Sequence, residues 1–310
     1  MQQIAKNIDN AKTKKWILVT GGSGFIGTNL VVELEKQGFK IVNLSAHDPI
    51  IPVKTIKLDL VNDDLSVLDE YKFDYVVHLA AVSTIKLSEG NEEETIKLNV
   101  EGTKKLLEYF KDKNLKKFIF MSSMTVYQEV DIEMTEDLEA LVDKNSNAYS
   151  YSKLLAEQEC QKFADEMPIL IFRLANAYGP YQRVGKTPNL IPQIIWQALN
   201  KKEIEIYNGD FARDFIYVSD ITDVVLKGLK SKFAGTLNLG TGMPTKVAKI
   251  AELVAKKTGV KVHDLKRKIK APLELVPNII LIKETLKWAP KISLKDGLEK
   301  TIKYYQSNAK

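Results

Sequence analysis

The sequence predicts an α/β fold in which helices cover both faces of a doubly wound parallel sheet. Three observations lead to this prediction. Apolar runs of strand length alternate with amphipathic helical patterns through the first half of the chain. The first apolar run breaks into glycines and resumes as a helix. Small and hydroxyl side chains end later strands, at the edge where open α/β sheets place their ligand crevice.

A glycine-rich turn, TGGSGFIG at residues 20–27, joins the first strand to the first helix. Gly21, Gly24 and Gly27 have the spacing of a dinucleotide-binding turn. Glycine lets backbone amides approach a ligand with no side chain in the way, and the following helix N-terminus attracts negative charge. The turn therefore predicts a Rossmann-type site for a diphosphate, although a tight strand-to-helix turn can need glycine for packing alone.

The remaining elements follow in order. Further strands are predicted at 39–44, 55–58, 74–81 and 117–123, and helices at 25–35, 92–111 and 150–165. The last third is mixed, with helices at 187–201, 219–230 and 246–258 and strands at 203–207 and 236–239. We expect a polar extension at 1–15, a Rossmann domain at 16–170 to which about 210–240 returns, and a smaller mixed α/β substrate-binding lobe, mainly 171–310, interleaved with it.

Composition excludes several classes of protein. The 310 residues are 45% hydrophobic, which is enough for a substantial core. The net charge of +5 is spread along the chain, which argues against nucleic-acid binding. Only residues 261–270 are locally basic, and they would form either a solvated surface or a site that binds substrate phosphates. Cys160 has no disulfide partner, and no membrane-spanning run or secretory leader is predicted. We expect a cytoplasmic protein.

A candidate pair for proton transfer lies at the start of the 150–165 helix. Tyr149 and Lys153 are four residues apart and therefore share a helical face. A neighbouring ammonium favours a phenolate and lowers the pKa of the tyrosine. Such pairs also occur on ordinary helix surfaces. In this chain the pair occurs together with the glycine turn and with a strand that ends in Ser122 and Ser123. This combination favours a catalytic role for Tyr149 and Lys153.

These motifs together resemble extended short-chain dehydrogenases/reductases of the NAD-dependent epimerase/dehydratase family, which modify nucleotide sugars. The resemblance covers nearly the whole chain. It rests on TGGSGFIG at 20–27, DL at 59–60, HLAA at 78–81, NVEGT at 99–103, SSMTVY at 122–127, Tyr149 with Lys153, RLANAYGP at 173–180 and RDFIYV at 213–218.

The resemblance implies a role for each matching position. Tyr149 would be the acid/base, Lys153 would hold the nicotinamide ribose and lower the pKa of Tyr149, and Ser123 would hydrogen-bond the reacting oxygen. The cofactor would contact Gly21, Gly24, Phe25, Ile26, Gly27, Ser45, Asp59, Leu60, Leu79, Ala80, Ala81 and Asn99, besides Tyr149 and Lys153. The sugar nucleotide would contact Ser83, Thr125, Asn176 and Arg213.

Two departures from the family pattern narrow the expected chemistry. Family dehydratases carry an acidic pair after the catalytic hydroxyl, whereas this chain has Met124 and Thr125, which cannot protonate a leaving hydroxyl. A 4,6-dehydratase is therefore not expected. NAD-binding members present an acid at the end of the second strand, where this chain has Ser45. Serine admits the 2′-phosphate of NADP, while Asp48 could serve the ribose of NAD, so both cofactors stay open.

Three functions remain. Ser45 favours a nucleotide-4-keto-sugar reductase, which exchanges spent NADPH. The SSMTVY segment resembles hexose 4-epimerases, and Thr125 stands where they carry threonine. A dinucleotide-binding sensor without activity is a third possibility, which the retained Ser123, Tyr149 and Lys153 disfavour. We expect a homodimer through helices 92–111 and 150–165, a core position for Trp288, structural roles for His78 and His263, and no metal site.

Overall fold

A computed structural model describes residues 14–127, 133–140, 142–183, 189–268 and 274–308. The strands are β1 Trp16–Thr20, β2 Lys40–Ser45, β3 Thr55–Lys57, β4 Tyr75–His78, β5 Lys117–Ser123, β6 Ile169–Leu174, β7 Asn176–Tyr178, β8 Glu203–Ile206, β9 Ala212–Arg213, β10 Phe215–Tyr217, β11 Gly235–Leu239, β12 Thr245–Lys246, β13 Lys261–Asp264 and β14 Glu274–Leu275. The α-helices are α1 Phe25–Lys36, α2 Ile85–Ser88, α3 Glu92–Ile96, α4 Gly102–Phe110, α5 Ala148–Lys162, α6 Leu190–Asn200, α7 Val218–Lys230, α8 Val247–Thr258, α9 Ile280–Leu286 and α10 Leu294–Ser307.

Seven parallel strands form the central sheet, in the order β3-β2-β1-β4-β5-β6-β11. Helices α1 and α7 bury apolar residues on one face, and α4 and α5 bury theirs on the other. The chain reverses direction across the sheet between β1 and β4, which opens a crevice at their carboxyl ends. The predicted Rossmann-type fold is confirmed.

A second apolar core lies outside the sheet. It packs α6, α8 and α10 around β8 and β10. Its strands are short and form small separate sheets: β10 with β7, β12-β9-β14, and β13 with β8. Phe25, at the start of α1, packs against this core and joins it to the glycine turn.

The predicted helix at 92–111 is interrupted by a π turn, Lys97–Glu101, between α3 and α4. Apolar periodicity could not reveal the turn, because one widened turn leaves the spacing on either side helical. Strand β4 is also shorter than the predicted 74–81. After His78 the chain leaves the ladder, and the Leu79 N–H donates to Thr20 O at 3.1 Å.

Other differences lie in the last third of the chain. The predicted helix at 187–201 becomes α6, and residues 187–188 lie outside the described residues, as do 1–13 of the polar extension. The basic run at 261–270 contains β13, whose alternating charged residues concealed an edge strand paired with β8. Its last two residues are not among those described.

Candidate active site

The three glycines of the 20–27 turn meet different physical demands. Gly21 has φ +71°, and a Cβ on it would lie 2.8 Å from Ala80 N. A Cβ on Gly27 would collide with Gly21 O, so this glycine lets α1 pack against the turn. Gly24 is exposed, and a Cβ there meets Gly21 O alone, at 3.2 Å. Gly24 therefore borders open space on the ligand side.

Helix α1 begins directly after Gly24, and among the described residues no side chain caps it. The N–H groups of its first turn thus suit an anionic ligand. Phe25 and Ile26 are half-buried, and Ile26 packs against the core under the sheet. The glycine cradle fits the diphosphate of a dinucleotide, because backbone rather than side chains borders the space beside Gly24.

The end of β2 folds back over the glycine turn. Ser45 is 7% exposed, and its hydroxyl oxygen accepts a hydrogen bond from His47 N at 3.1 Å. Ser23 donates to His47 O at 2.9 Å. Asp48 is turned to solvent, where it pairs with Lys57 at 2.7 Å. Ser45 is thus used within its own loop.

Six further cofactor candidates lie near the neighbouring strand ends or in the π turn. Asp59 is exposed and caps its own turn, and hydrogen bonds from Asn62 and Val61 lower its pKa. Leu60 is buried against α4 at Gly102. The segment 79–81 is half-buried at the crevice. Asn99 is buried in the π turn.

Asn99 holds two other parts of the site together. Its amide donates to Val82 O at 3.1 Å and to the Ser152 hydroxyl at 2.8 Å, and its Oδ1 accepts from Val82 N at 2.8 Å. Ser152 donates in turn to Tyr149 O at 2.8 Å. The π turn therefore places a side-chain amide between the loop after β4 and helix α5.

The structure brings the three candidate catalytic residues together. Asn147 caps α5 by accepting from Ser150 N at 2.9 Å, which places Tyr149 in the first helical turn beside the end of β5. Tyr149 is half-buried and hydrogen-bonded to Ser123. Burial raises the pKa of Tyr149, and the Ser123 hydrogen bond opposes this rise.

Thr125 controls the direction of the Ser123 proton. The Ser123 oxygen accepts from Thr125 N at 3.3 Å and from the Thr125 hydroxyl at 3.0 Å. With those two donors in place, the proton of Ser123 is directed at the oxygen of Tyr149. The side chain of Thr125 therefore belongs to the site.

Lys153 is almost fully buried below this pair. Its Nζ donates to Met121 O at 2.9 Å and lies 4.9 Å from the centre of the Phe120 ring. Burial lowers the pKa of Lys153 to about 8, although the Glu157 carboxylate opposes this change. The hydrogen bond that lowers the pKa of Tyr149 comes from Ser123, and a lowering of this pKa by Lys153 stays a prediction.

The predicted substrate residues lie on the second lobe and on the loop after β4. Asn176 is exposed, and its amide donates to Asp214 O at 3.0 Å. Arg213 is half-buried, with a guanidinium bond to Ala212 O at 2.8 Å and the Phe211 ring 5.4 Å away. Ser83 is exposed. Asn176 and Arg213 are joined through neighbouring backbone, since Asn176 binds the carbonyl of the residue that follows Arg213.

The model of the NAD dependent epimerase/dehydratase family matches residues 17–240. The chain belongs to this family. It is therefore an enzyme of the nucleotide-sugar epimerase/dehydratase type with an NAD-binding fold. The matched range contains the glycine turn, Ser123, Tyr149, Lys153 and Arg213.

One family relative and two solved structures illustrate the similarity. The UDP-N-acetyl-alpha-D-glucosaminuronate decarboxylase of Bacillus cytotoxicus is 28% identical over 94% of this chain and 98% of its own. The UDP-glucose 4-epimerase of Thermotoga maritima with UDP-glucose superposes with TM-score 0.86 at 26% identity, over 95% of this chain and 100% of that one. The UDP-glucuronic acid 4-epimerase of Bacillus cereus, with UDP-glucuronic acid and NAD, has TM-score 0.83 at 28% identity, over 94% and 99%.

Sequence reasoning missed a buried ion pair next to the catalytic helix. Glu157, one turn after Lys153, accepts from Arg173 at 2.8 to 3.2 Å through two guanidinium nitrogens. The guanidinium also lies 4.7 Å from the Tyr127 ring centre. Burial lowers the pKa of Arg173, but the Glu157 bonds outweigh this and raise it. The first residue of RLANAYGP therefore anchors α5 to β6.

The other chemistry-bearing residues are structural. Trp288 is buried, as predicted; His78 is also buried, and His263 is exposed and lies 3.7 Å from Glu203. In the basic run, Lys266 pairs with Asp210 and Asp264, and Arg267 lies over Tyr207. Burial raises the pKa of the Cys160 thiol. The described ranges contain no group of three side chains arranged to bind a metal.

Within the described ranges, no helix has both the length and the apolar composition needed to cross a bilayer.

Proposed function

We propose that this chain is a UDP-sugar 4-epimerase that uses NAD. The observation that carries the proposal is the Ser123 hydroxyl, which Thr125 orients towards Tyr149 at the end of β5. Ser123 and Tyr149 together can remove a proton from one sugar hydroxyl and return it. Residues 124 and 125 carry no carboxylate for a dehydration. Similarity to two solved 4-epimerases supports the same reaction.

Tyr149, in its phenolate form, takes the proton of the sugar C4 hydroxyl. A nicotinamide cofactor held by the glycine turn, Tyr149 and Lys153 would supply hydride transfer at C4, in which the hydride removed from one face of the sugar is returned to the opposite face. Tyr149 then gives its proton back to the oxygen, so that no atom is gained or lost. Ser123 stabilises the phenolate by donating a hydrogen bond to it.

The sequence favours a 4-ketoreductase through Ser45, and the local geometry weakens that preference. A serine that is to bind a 2′-phosphate must present its hydroxyl to the crevice. Ser45 is 7% exposed and so offers little surface to a 2′-phosphate, while Asp48 pairs with the charge of Lys57. We therefore favour NAD over NADP, and with it an epimerase, whose cofactor returns to its starting state in every turnover.

NAD binding is tested by calorimetric titration of NAD and NADP into the wild type and into Gly24→Val. A valine side chain would occupy the space that borders Gly24 and block the diphosphate. We expect tighter binding of NAD than of NADP, and an affinity for NAD at least about 100-fold weaker in Gly24→Val with an unchanged circular dichroism spectrum. Gly24→Ala, with its smaller side chain, is the matched control. Equal affinity of wild type and Gly24→Val would contradict the proposed site.

We assign the nucleotide sugar to the crevice between the sheet edge and the second lobe. Arg213 offers a fork of donors suited to a phosphate, and Asn176 offers an amide from the adjoining strand. Ser83 and Thr125 would approach the sugar from the other wall. In this arrangement the lobe selects the substrate and the sheet edge carries out the reaction.

A homodimer is also proposed, through the helices α3–α4 and α5. Lys97, Glu101, Lys104 and Glu108 are all exposed on the α3–α4 unit, three or four residues apart and alternating in sign. An antiparallel copy centred between Glu101 and Lys104 would face each charge with its opposite. This self-complementary pattern suits a two-fold axis. It can also be satisfied within one helix, as the Lys104–Glu108 pair at 3.8 Å illustrates.

The deciding experiment separates three reactions. Purified protein is incubated with UDP-glucose, UDP-glucuronic acid, UDP-N-acetylglucosaminuronic acid and UDP-4-keto sugars, and products are identified by NMR while nicotinamide absorbance is followed. Interconversion of C4 epimers with no net change in absorbance supports the proposal. Release of carbon dioxide would show that the protein is a decarboxylase, which is the activity named for the Bacillus cytotoxicus relative. Stoichiometric cofactor oxidation would assign it a reductase. Tyr149→Phe is the control in every arm.

A further inference from the structure

His78, the last residue of β4, is a buried histidine that the proposed reaction does not use. It is 1% exposed and lies between two buried threonines. Its Nδ1 is 2.6 Å from the Thr20 hydroxyl, and its Nε2 is 2.9 Å from the Thr103 hydroxyl. Burial lowers the pKa of His78 to about 3. The ring is therefore neutral, with one nitrogen that donates and one that accepts.

The neighbouring groups decide which nitrogen carries the proton. Thr103 Oγ1 lies 2.6 Å from the carbonyl oxygen of Asn99, which can only accept, so the Thr103 proton is directed there. Thr103 must then accept from His78, which places the ring proton on Nε2. Nδ1 is left as an acceptor, and the proton of Thr20 is directed at it.

Thr20 completes the same pattern on the other side of the ring. Its hydroxyl oxygen accepts from Ala80 N at 3.1 Å and, at 3.2 Å, from Leu79 N, whose proton it shares with the Thr20 carbonyl oxygen. If the His78 proton were on Nδ1, this oxygen would face three donors. Nε2 would at the same time face a Thr103 hydroxyl whose proton is engaged elsewhere. Only the Nε2–H form satisfies every contact.

This hydrogen-bonded chain joins the two halves of the proposed site. At one end, Thr20 precedes Gly21, whose α-carbon approaches Ala80 so closely that no side chain fits. At the other end, Thr103 binds Asn99, whose amide reaches Ser152 and through it the backbone of Tyr149. Every side chain in this series of hydrogen bonds is almost fully buried.

We propose that His78 is a positioning residue, which as its Nε2–H tautomer holds the carboxyl end of β4 against the glycine turn. It does so by keeping the Thr20 oxygen free to accept from Ala80 N, and it links that contact through Thr103 and Asn99 to the helix of Tyr149 and Lys153. His78 touches neither the sugar nor the reacting atoms. The inference rests on the proposed dinucleotide site, because the segment that His78 holds lines that site.

The first test is the tautomer itself, in the wild-type protein without ligand. Nitrogen-15 labelling of the three histidines separates a buried non-titrating ring from the exposed His47 and His263. We expect His78 to show a protonated Nε2, an unprotonated Nδ1 and no titration between pH 5 and 8. A protonated Nδ1, or titration near the ordinary pKa of about 6.5, would overturn the proposal. This result does not depend on which sugar the enzyme uses.

The second test changes the partner rather than the histidine. Thr103→Val keeps the side-chain shape and removes the acceptor for Nε2–H, so we expect the ring proton to shift towards Nδ1. We also expect a roughly five- to tenfold loss of NAD affinity by calorimetry, the size of one hydrogen bond. Thr103→Ser restores the hydroxyl and should keep both tautomer and affinity at wild-type values.

The two variants also separate positioning from bulk stability. Unfolding free energies are measured for both by urea titration, so that the affinity comparison is made between folded proteins. A Thr103→Val protein that changes tautomer yet binds NAD as tightly as wild type would overturn the proposed role. If the epimerase assay fails while NAD binding and the tautomer behave as expected, the proposed reaction is wrong and the role of His78 stands.

Discussion

The two walls of the crevice are built in different ways. The sheet wall carries buried polar side chains that bind one another, as in the sets around His78 and around Ser123. The lobe wall is made of strands two or three residues long. Its side chains Asn176 and Arg213 donate hydrogen bonds to backbone carbonyls. The first wall is fixed by contacts between buried side chains, whereas Asn176 on the second wall is exposed and Arg213 is half-buried.

This contrast assigns the two walls different tasks. Proton and hydride transfer need donors held within a fraction of an ångström, which interlocked buried groups provide. Selection among nucleotide sugars needs side chains that can vary without unfolding the protein. We therefore expect changes on the sheet wall to affect every substrate alike, and changes on the lobe wall to affect substrates differently.

The largest effect is expected from Tyr149→Phe, which removes the hydroxyl that moves the proton. Turnover should fall by about 10²- to 10⁴-fold for every accepted sugar, the usual contribution of general acid–base catalysis. NAD affinity and the unfolding free energy should change little, because the ring remains. The measurement is product formation by NMR under saturating substrate. A variant that retains wild-type turnover, or loses it for one sugar only, would contradict the contrast between the walls.

The second effect concerns the stability of the cofactor-free protein at high pH. Folded Lys153 releases its proton near pH 8, whereas the unfolded chain keeps it up to about 10.5. Between those values the unfolded state binds more protons, so the unfolding free energy rises with pH. The rise due to Lys153 should reach at most ~3 kcal/mol.

Lys153→Met is the matched control for this titration. Subtracting its urea-unfolding profile from that of the wild type isolates the contribution of Lys153 at each pH. We expect a difference that is constant below pH 7 and grows from pH 8 to 10. A flat difference over the whole range would mean that the buried ammonium does not titrate there.

The third effect lies on the lobe wall. Arg213→Met removes a cation proposed to bind phosphate, so the Kd for UDP-sugar should rise by about 10- to 100-fold while NAD affinity stays constant. Arg213→Lys keeps the charge but loses the fork of donors, so its Kd for UDP-sugar should lie between those of the wild type and Arg213→Met. Calorimetry with UDP-glucose and with UDP measures this. Loss of NAD binding in Arg213→Met would show that the two walls are not independent.

The smallest effect is expected on the outer surface of α3–α4. Glu101→Lys should weaken the proposed dimer roughly tenfold at low salt, because it places like charges across the two-fold axis. Adding Lys104→Glu restores opposite charges and should restore the dimer. Sedimentation velocity at two salt concentrations measures both variants, and the difference should shrink at high salt. A wild-type protein that sediments as a monomer at micromolar concentration would refute the interface.

Much of the sheet wall could be predicted from the sequence because its signals are local. The alternation of strands and helices and the Gly21, Gly24 and Gly27 spacing depend on residues next to one another in the chain. Tyr149 and Lys153 are likewise one helical turn apart. Ser123 and Thr125 were found through their motif, and their mutual hydrogen bond follows from two-residue spacing.

What only the tertiary structure decided depends on residues far apart in the chain. Asn99 and Ser152 are 53 residues apart, and His78 and Thr103 are 25 apart, so no local pattern could pair them. The use of Ser45 by its own loop, and the burial that lowers the pKa of Lys153, likewise appear only in the fold. Local chemistry thus determined the sheet, the glycine turn and the candidate acid/base, because turns and helical faces arise from near neighbours. Packing decided the protonation states and the positions of those groups, because burial and long-range hydrogen bonds exist only once the chain is folded.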